Sequence, residues 1–305
     1  MRKNFSDELV KIASKDKSVY IVVADISPAG SMEEFQKQFK ERFINVGVSE
    51  QTMIGISAGL ALSGKKVFAY TIANFSLYRP FEMIRNDLCY QKLPVTVVGM
   101  GAGTIYANLG GTHLTQEDIS IARSLPNMQI LAPCDPAELT ECLQYCAKNR
   151  SGPVYLRIGK SGEKNYSTKS KKWKFGKLRN IKKGNRIAIL TFGPIIRYAF
   201  EACKQLKIKN NEQVSIYSCH TLKPFDQKGI KKIFSKYKKI IILEDHSEIG
   251  GLGSIVKELA YLNRYNQKIE HIGLKDNFLH EYSSQENLLK KHGITISKLI
   301  KLIKK

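Results

Sequence analysis

Ile44-Asn-Val-Gly-Val-Ser-Glu-Gln-Thr-Met-Ile-Gly-Ile-Ser-Ala-Gly-Leu-Ala-Leu-Ser-Gly64 decides the fold class. A short apolar run enters a single acid, Glu50, and a helix rich in small residues follows until Gly64 ends it. A carboxylate at the mouth of an apolar strand-to-helix turn is poorly solvated, which predicts a raised pKa and a proton available for chemistry. The plainer reading is a first-turn acid favoured by the helix dipole. Taken alone, the stretch favours the plainer reading; the residues that follow reverse that balance.

The alternation continues in both directions. Apolar runs at Val19–Ala24, Lys66–Thr71, Pro94–Gly99, Met128–Ala132 and Pro153–Ile158 read as strands. Glu50–Ser63, Tyr78–Gln91, Gln116–Ser124 and Pro136–Lys148 read as helices, and Phe35–Phe43 as polar connection. Apolar strands alternating with helices predict a mostly parallel sheet covered on both faces. The pattern restarts at Arg186–Thr191 and runs through strands at Val214–Ser218 and Lys239–Leu243. The expected fold is α/β, with two doubly wound domains: residues 1–160, a basic linker over 161–185, and a smaller domain over 186–305.

The 305-residue chain contains no apolar run of the ~18 residues that a membrane span needs. Its N-terminus shows no continuous apolar core of a signal peptide, so a cytoplasmic protein with no membrane contact is expected. Six scattered cysteines without CxxC spacing argue for reduced, buried thiols rather than a zinc site. Lysine is spread along the chain and gives a formal charge of +22, but Lys160–Arg186 is extreme, with Glu163 as its one acid. Basic residues interleaved with Tyr166, Trp173 and Phe175 could contact nucleic acid. No recognised nucleic-acid motif accompanies them, and a solvated linker docked by its aromatics is the preferred reading.

Ligands of open parallel sheets bind at the carboxyl ends of strands. Asp25, Glu50, Thr71–Phe75, Gly99–His113 and Arg157 all fall at or after such ends. Five segments therefore converge on one rim of the first domain.

These residues also resemble a known family. The series Gly47–Met53, Ala58–Ala61, Thr71–Tyr78, Ile84–Asp87, Gly110–Asp118 and Leu125–Met128, extended by Pro133–Glu138, is similar to the pyrimidine-binding domain of transketolases. Leu222–Asp226 and Glu244-Asp-His-Ser-Glu-Ile-Gly-Gly-Leu-Gly253 resemble the C-terminal domain of the same family. The likeness covers essentially the whole chain.

The resemblance implies thiamine diphosphate as cofactor, with Glu50 as the catalytic glutamate that hydrogen-bonds the aminopyrimidine ring. Phe75 matches the aromatic that stacks on that ring, Tyr78 the neighbouring ring contact, and Asp25 a residue supporting the cofactor rim. Without the likeness, Phe75 and Tyr78 read as ordinary core and Asp25 as a turn cap. His113 matches a histidine that faces substrate and assists proton transfer. Arg157 matches an arginine that holds a sugar phosphate, and Arg2 is a second phosphate contact.

The chain departs from the family pattern at Leu109, which replaces a substrate-reading aspartate, at Gly111 where proline is usual, at Ala29 where a serine near the sugar phosphate is expected, and near Gly101, where a histidine is absent. Donor recognition is therefore expected to differ from that of ordinary pentose-phosphate transketolases. The family's Gly-Asp-Gly motif for magnesium and diphosphate is absent. These features imply the C-terminal half of a split transketolase, with the Mg2+ ligands on an N-terminal-type partner subunit and an α2β2 assembly. A decarboxylating relative stays open as an alternative, either deoxyxylulose-phosphate-synthase-like or a 2-oxoacid dehydrogenase β subunit. So does a basic nucleic-acid-binding or scaffold protein on the same fold.

Overall fold

The computed structural model describes residues 1–25, 32–168, 172–209, 212–266 and 268–305. Ala29 lies outside them. Six strands form in the first half: β1 (Val19–Val23), β2 (Phe43–Asn45), β3 (Lys66–Ile72), β4 (Thr96–Met100), β5 (Gln129–Leu131) and β6 (Val154–Ile158). Six follow: β7 (Arg179–Lys182), β8 (Ile187–Thr191), β9 (Val214–Ser218), β10 (Thr221–Lys223), β11 (Lys239–Ser247) and β12 (Lys268–Leu274). The first half carries helices α1 (Arg2–Lys15), α2 (Glu33–Gln38), α3 (Glu50–Leu62), α4 (Ala73–Leu77), α5 (Phe81–Met83), α6 (Asp118–Ser124) and α7 (Pro136–Lys148). The second carries α8 (Ile196–Gln205), α9 (Gln227–Lys236), α10 (Leu252–Leu262), α11 (Gln285–Lys291) and α12 (Ile296–Lys304).

The first sheet has the order β10-β5-β6-β4-β3-β1-β2, parallel except for β10. The second has the order β12-β11-β8-β9-β7, parallel except for β7. Every residue of β4 and β6 is buried, as the uninterrupted apolar runs require of strands covered on both faces. Two strands depart from the sequence reading. Arg179–Lys182, placed there in the linker, forms the antiparallel edge strand β7. Thr221–Lys223 crosses back and pairs antiparallel with β5, so the second half of the chain completes the sheet of the first. Both segments are three or four residues long, too short for period-2 patterning to register. Phe35–Phe43 contains α2 rather than simple connection; Phe35 is buried and meets Phe39 edge-on at 5.1 Å.

A buried polar joint fixes the two sheets to each other. Arg157 Nε donates to Asp118 Oδ2 at 2.8 Å, and Tyr155 Oη donates to the same oxygen at 2.8 Å. Arg157 Nη2 donates to the Asp245 carbonyl at 2.8 Å, and Thr104 Oγ1 donates to the Asp245 carboxylate at 2.9 Å. Glu244 accepts from the amides of Leu252 and Gly253 at 2.8 and 2.9 Å, at the start of α10. Glu244, Asp245 and His246 are buried near the end of β11, and Asp245 docks on the first domain. Gly103 lies at φ +75°, and a Cβ there would sit 2.5 Å from Asp245 Oδ2, so the close approach requires glycine.

Candidate active site

Glu50 opens α3 and is 5% exposed. The sequence predicts an apolar surround for this carboxylate, but the structure supplies a cation. Arg79 Nη1 donates to both Glu50 oxygens, at 3.0 and 3.2 Å. The same guanidinium lies over the Phe75 ring, 4.2 Å from its centroid. Arg79 is 48% exposed, so one side of its guanidinium already faces solvent. Sequence reasoning missed Arg79; its only signal is that it follows Tyr78 directly.

Phe75 is half-buried on α4 and presents a ring to this space. Tyr78, at the end of α4, is held from the far side. Its hydroxyl donates to Glu117 Oε2 at 2.8 Å and accepts from the Glu117 amide at 3.2 Å. Burial pushes the Tyr78 phenol up from its ordinary pKa, with Asp118 and Glu117 adding to the shift. Asn74 donates to the Thr112 carbonyl and so ties α4 to the loop that carries His113.

The His113 ring lies edge-on to Phe75 at 5.2 Å and to Tyr106 at 6.5 Å. Its pKa is lowered, first by burial and then by the Arg79 charge. Both effects favour the uncharged imidazole over the imidazolium. Beyond it, Lys160 Nζ stands 4.5 Å from the Tyr106 ring centroid. The Arg2 amide donates to the Lys160 carbonyl at 3.0 Å, and the Arg2 charge acts on the Tyr106 phenol. Glu50, Phe75, His113, Tyr106, Lys160 and Arg2 form one continuous row.

The second domain reaches this row. Gly110 lies at φ +78°, and a Cβ there would meet Tyr282 Cε1 at 2.8 Å. The Ser283 amide donates to the Ala107 carbonyl at 3.2 Å, and Leu288 packs with Ala107 and Leu114. The loop bearing His113 is thus buttressed by the segment leading into α11. The departures at Leu109 and Gly111 lie in this loop; Leu109 is 40% exposed and available to a ligand.

Two predicted residues stand apart. Arg157 is 3% exposed, with its guanidinium between Asp118 and the Asp245 backbone, so it is a joint residue and not a phosphate contact. The next basic side chain along the chain, three residues on, is Lys160, and that residue lines a cleft of about 410 Å³ with Arg197 and Tyr198. Asp25 is exposed at the end of β1, at φ 40°, and its amide contacts Asn45 Oδ1 at 3.3 Å. That position borders the strand leading to Glu50. Among the described residues no group of three or more His, Cys, Asp or Glu could hold a metal ion, and no helix is long and apolar enough to cross a membrane.

Residues 1–163 match the family model of the transketolase pyrimidine-binding domain, and residues 176–299 that of the transketolase C-terminal domain. A protein of Methanocaldococcus jannaschii named as a transketolase C-terminal section is 36% identical over 305 residues, 99% of this chain and 95% of its own. One of the subunits of an apulose-4-phosphate transketolase from Phocaeicola vulgatus is 34% identical over 286 residues, covering 93% of this chain and 90% of its own. A solved split-gene transketolase, described as an inactive β4 tetramer, superposes with a TM-score of 0.88 at 32% identity, covering 99% of this chain and 96% of that one. The row of side chains from Glu50 to Lys160 therefore sits in a chain that belongs to the transketolase family and joins its pyrimidine-binding and C-terminal domains in one polypeptide.

Proposed function

We propose that this chain is the C-terminal subunit of a thiamine-diphosphate-dependent transketolase, moving a two-carbon ketol unit between sugar phosphates together with an N-terminal-type subunit. The observation that carries the reading is Arg79. A flat N–H-bearing group stacks on Phe75 and donates to Glu50. A protonated aminopyrimidine has the same shape and the same donor, so these residues fit the cofactor once Arg79 swings out to solvent. Bound there, thiamine diphosphate supplies the nucleophilic carbon and the electron sink.

The rest is done by this chain. The Glu50 carboxyl holds a proton against a ring nitrogen, and Phe75 fixes the plane of the ring. Tyr78 holds the opposite wall through Glu117, with Asp25 at the rim. His113 exchanges a proton with a substrate hydroxyl, and Lys160 with Arg2 holds the phosphate end. Mg2+ and the diphosphate are assigned to the partner, because Gly-Asp-Gly is absent from this sequence.

Helix α3 supports the partner. It buries Met53, Ile54, Ser57 and Ala58, and its outward side carries Gln51 and Thr52 in the first turn, then Gly55, Gly59 and Leu62, with Leu62 65% exposed. Two glycines beside an exposed leucine leave a flat patch on which a partner can pack closely. The helix that carries Glu50 is therefore read as lying at a subunit junction, as in an α2β2 assembly in the cytoplasm.

The test combines both subunits with thiamine diphosphate and Mg2+ and compares xylulose 5-phosphate with pyruvate as donor. Ketol transfer from the sugar phosphate is expected. Consumption of pyruvate alone would replace transketolase by a decarboxylating enzyme, and turnover unaffected by Glu50→Gln would remove the assigned site.

A further inference from the structure

The basic linker and α9 face each other across a groove of about 760 Å³. Its walls carry six exposed lysines: Lys172, Lys174 and Lys177 from the linker, and Lys228, Lys232 and Lys236 from α9. The α9 lysines recur every four residues and so form one stripe, while Ile230, Ile233 and Phe234 bury the opposite face. The chain as a whole has 27 acids for 49 basic residues. Among the described residues lining the groove, the six lysines meet a single carboxylate, Asp226.

That carboxylate is already engaged. Asp226 accepts from the Gly229 amide at 3.0 Å, from the Leu178 amide at 3.2 Å and from Lys177 Nζ at 3.2 Å. Lys236 Nζ donates to the Gly184 carbonyl at 3.2 Å, which holds it in the groove. The other four lysines converge with no carboxylate between them among the described lining residues. Like charges brought together by two separate segments repel, and a bound polyanion removes that repulsion.

We propose that this groove binds a short chain of phosphates, two or three in a row, free or as the tail of a nucleotide. Size and chemistry favour a compact ligand over a nucleic-acid strand. The volume is that of a small-molecule site. A single strand needs exposed aromatic platforms; here Tyr217 is tied to Tyr237 by its hydroxyl at 2.9 Å, and His220 is buried. The groove is also remote from Glu50. Glu50 follows β2 and Asp226 follows β10, at opposite edges of the seven-stranded sheet, roughly 29 Å apart at the usual strand spacing.

The test is isothermal titration of the full chain with sodium tripolyphosphate, ATP and orthophosphate. Tripolyphosphate is expected to bind at least about tenfold more tightly than orthophosphate. ATP equal to tripolyphosphate would mean that only the phosphates are held; tighter ATP would mean that the base is held as well, and both outcomes support the site. The triple variant Lys228→Glu/Lys232→Glu/Lys236→Glu should lose at least about tenfold in affinity. The charge-matched Lys298→Glu/Lys301→Glu/Lys304→Glu on α12 should bind as the parent does. Equal loss in both variants, or orthophosphate as tight as tripolyphosphate, overturns the proposal. So does single-stranded RNA whose affinity grows with length and which tripolyphosphate fails to displace. If the α9 triple variant does not fold, Lys→Gln replacements at the same positions decide. The readout is binding to this chain alone, so it is independent of whether the enzyme turns over.

Discussion

Glu50 and Arg79 face each other across 3.0 Å at the rim; Asp118 and Arg157 do so across 2.8 Å in the interior. The chemistry of the two pairs is the same, and their surroundings are opposite. Arg79 is half in water, so its departure costs little and leaves Glu50 ready for another donor. Arg157 is enclosed, bonded to Asp118 and to the Asp245 carbonyl, and its removal strands a buried charge. Burial turns one pair into a replaceable contact and the other into a fixed joint.

The comparison breaks most sharply at Glu50. With the partner subunit and cofactor present, Glu50→Gln is expected to lower turnover by about 10²–10⁴-fold, while gel filtration shows the complex still assembled. Next come the two arginines. Arg157→Leu is expected to cost about 3–5 kcal/mol in urea unfolding, and Arg79→Leu less than about 1 kcal/mol. Equal costs would erase the distinction between the pairs.

Two histidines sharpen the same contrast. Burial, helped by the Arg179 charge, pulls His220 down to about 3. Its folded pKa lies below the unfolded value, so its stabilising contribution is complete above about pH 6.5. It is lost as pH falls from there toward 3, with a slope approaching roughly 1.4 kcal/mol per pH unit. Urea midpoints at pH 7 and pH 4.5 should therefore converge in His220→Gln relative to the parent. The smallest effect is expected at Tyr282, which is exposed and lies against Gly110 in the His113 loop. Tyr282→Ala should change stability by less than about 1 kcal/mol. It should also move the His113 titration, followed by NMR, toward the ordinary imidazole value; an unmoved titration means that the second domain does not position this ring.

Much of this was legible before folding. Unbroken apolar strands fixed the parallel sheet, and strand ends placed Glu50, Phe75 and His113 on one rim, because the carboxyl edge of such a sheet is where loops gather. Arg157 shows the limit of that logic. β6 is buried along its whole length, so a residue near its end packs into the interior as readily as it reaches the rim. Lys160, three residues further on and past the strand, reaches the cleft that Arg157 does not. Arg79 was invisible for a related reason: its contact with Glu50 spans 29 positions, and no local pattern encodes it.

The sequence by itself determined the α/β class, the acid at the mouth of α3 and the absence of a Gly-Asp-Gly motif, since all three depend on local order and residue type. Only the tertiary structure decided which arginine is free and which is locked. It also showed that β10 returns to the first sheet, that the second domain supports the His113 loop, and that two lysine-rich segments share a groove. Those outcomes depend on solvent exclusion between segments distant in the chain, and solvent exclusion exists only once the segments have packed.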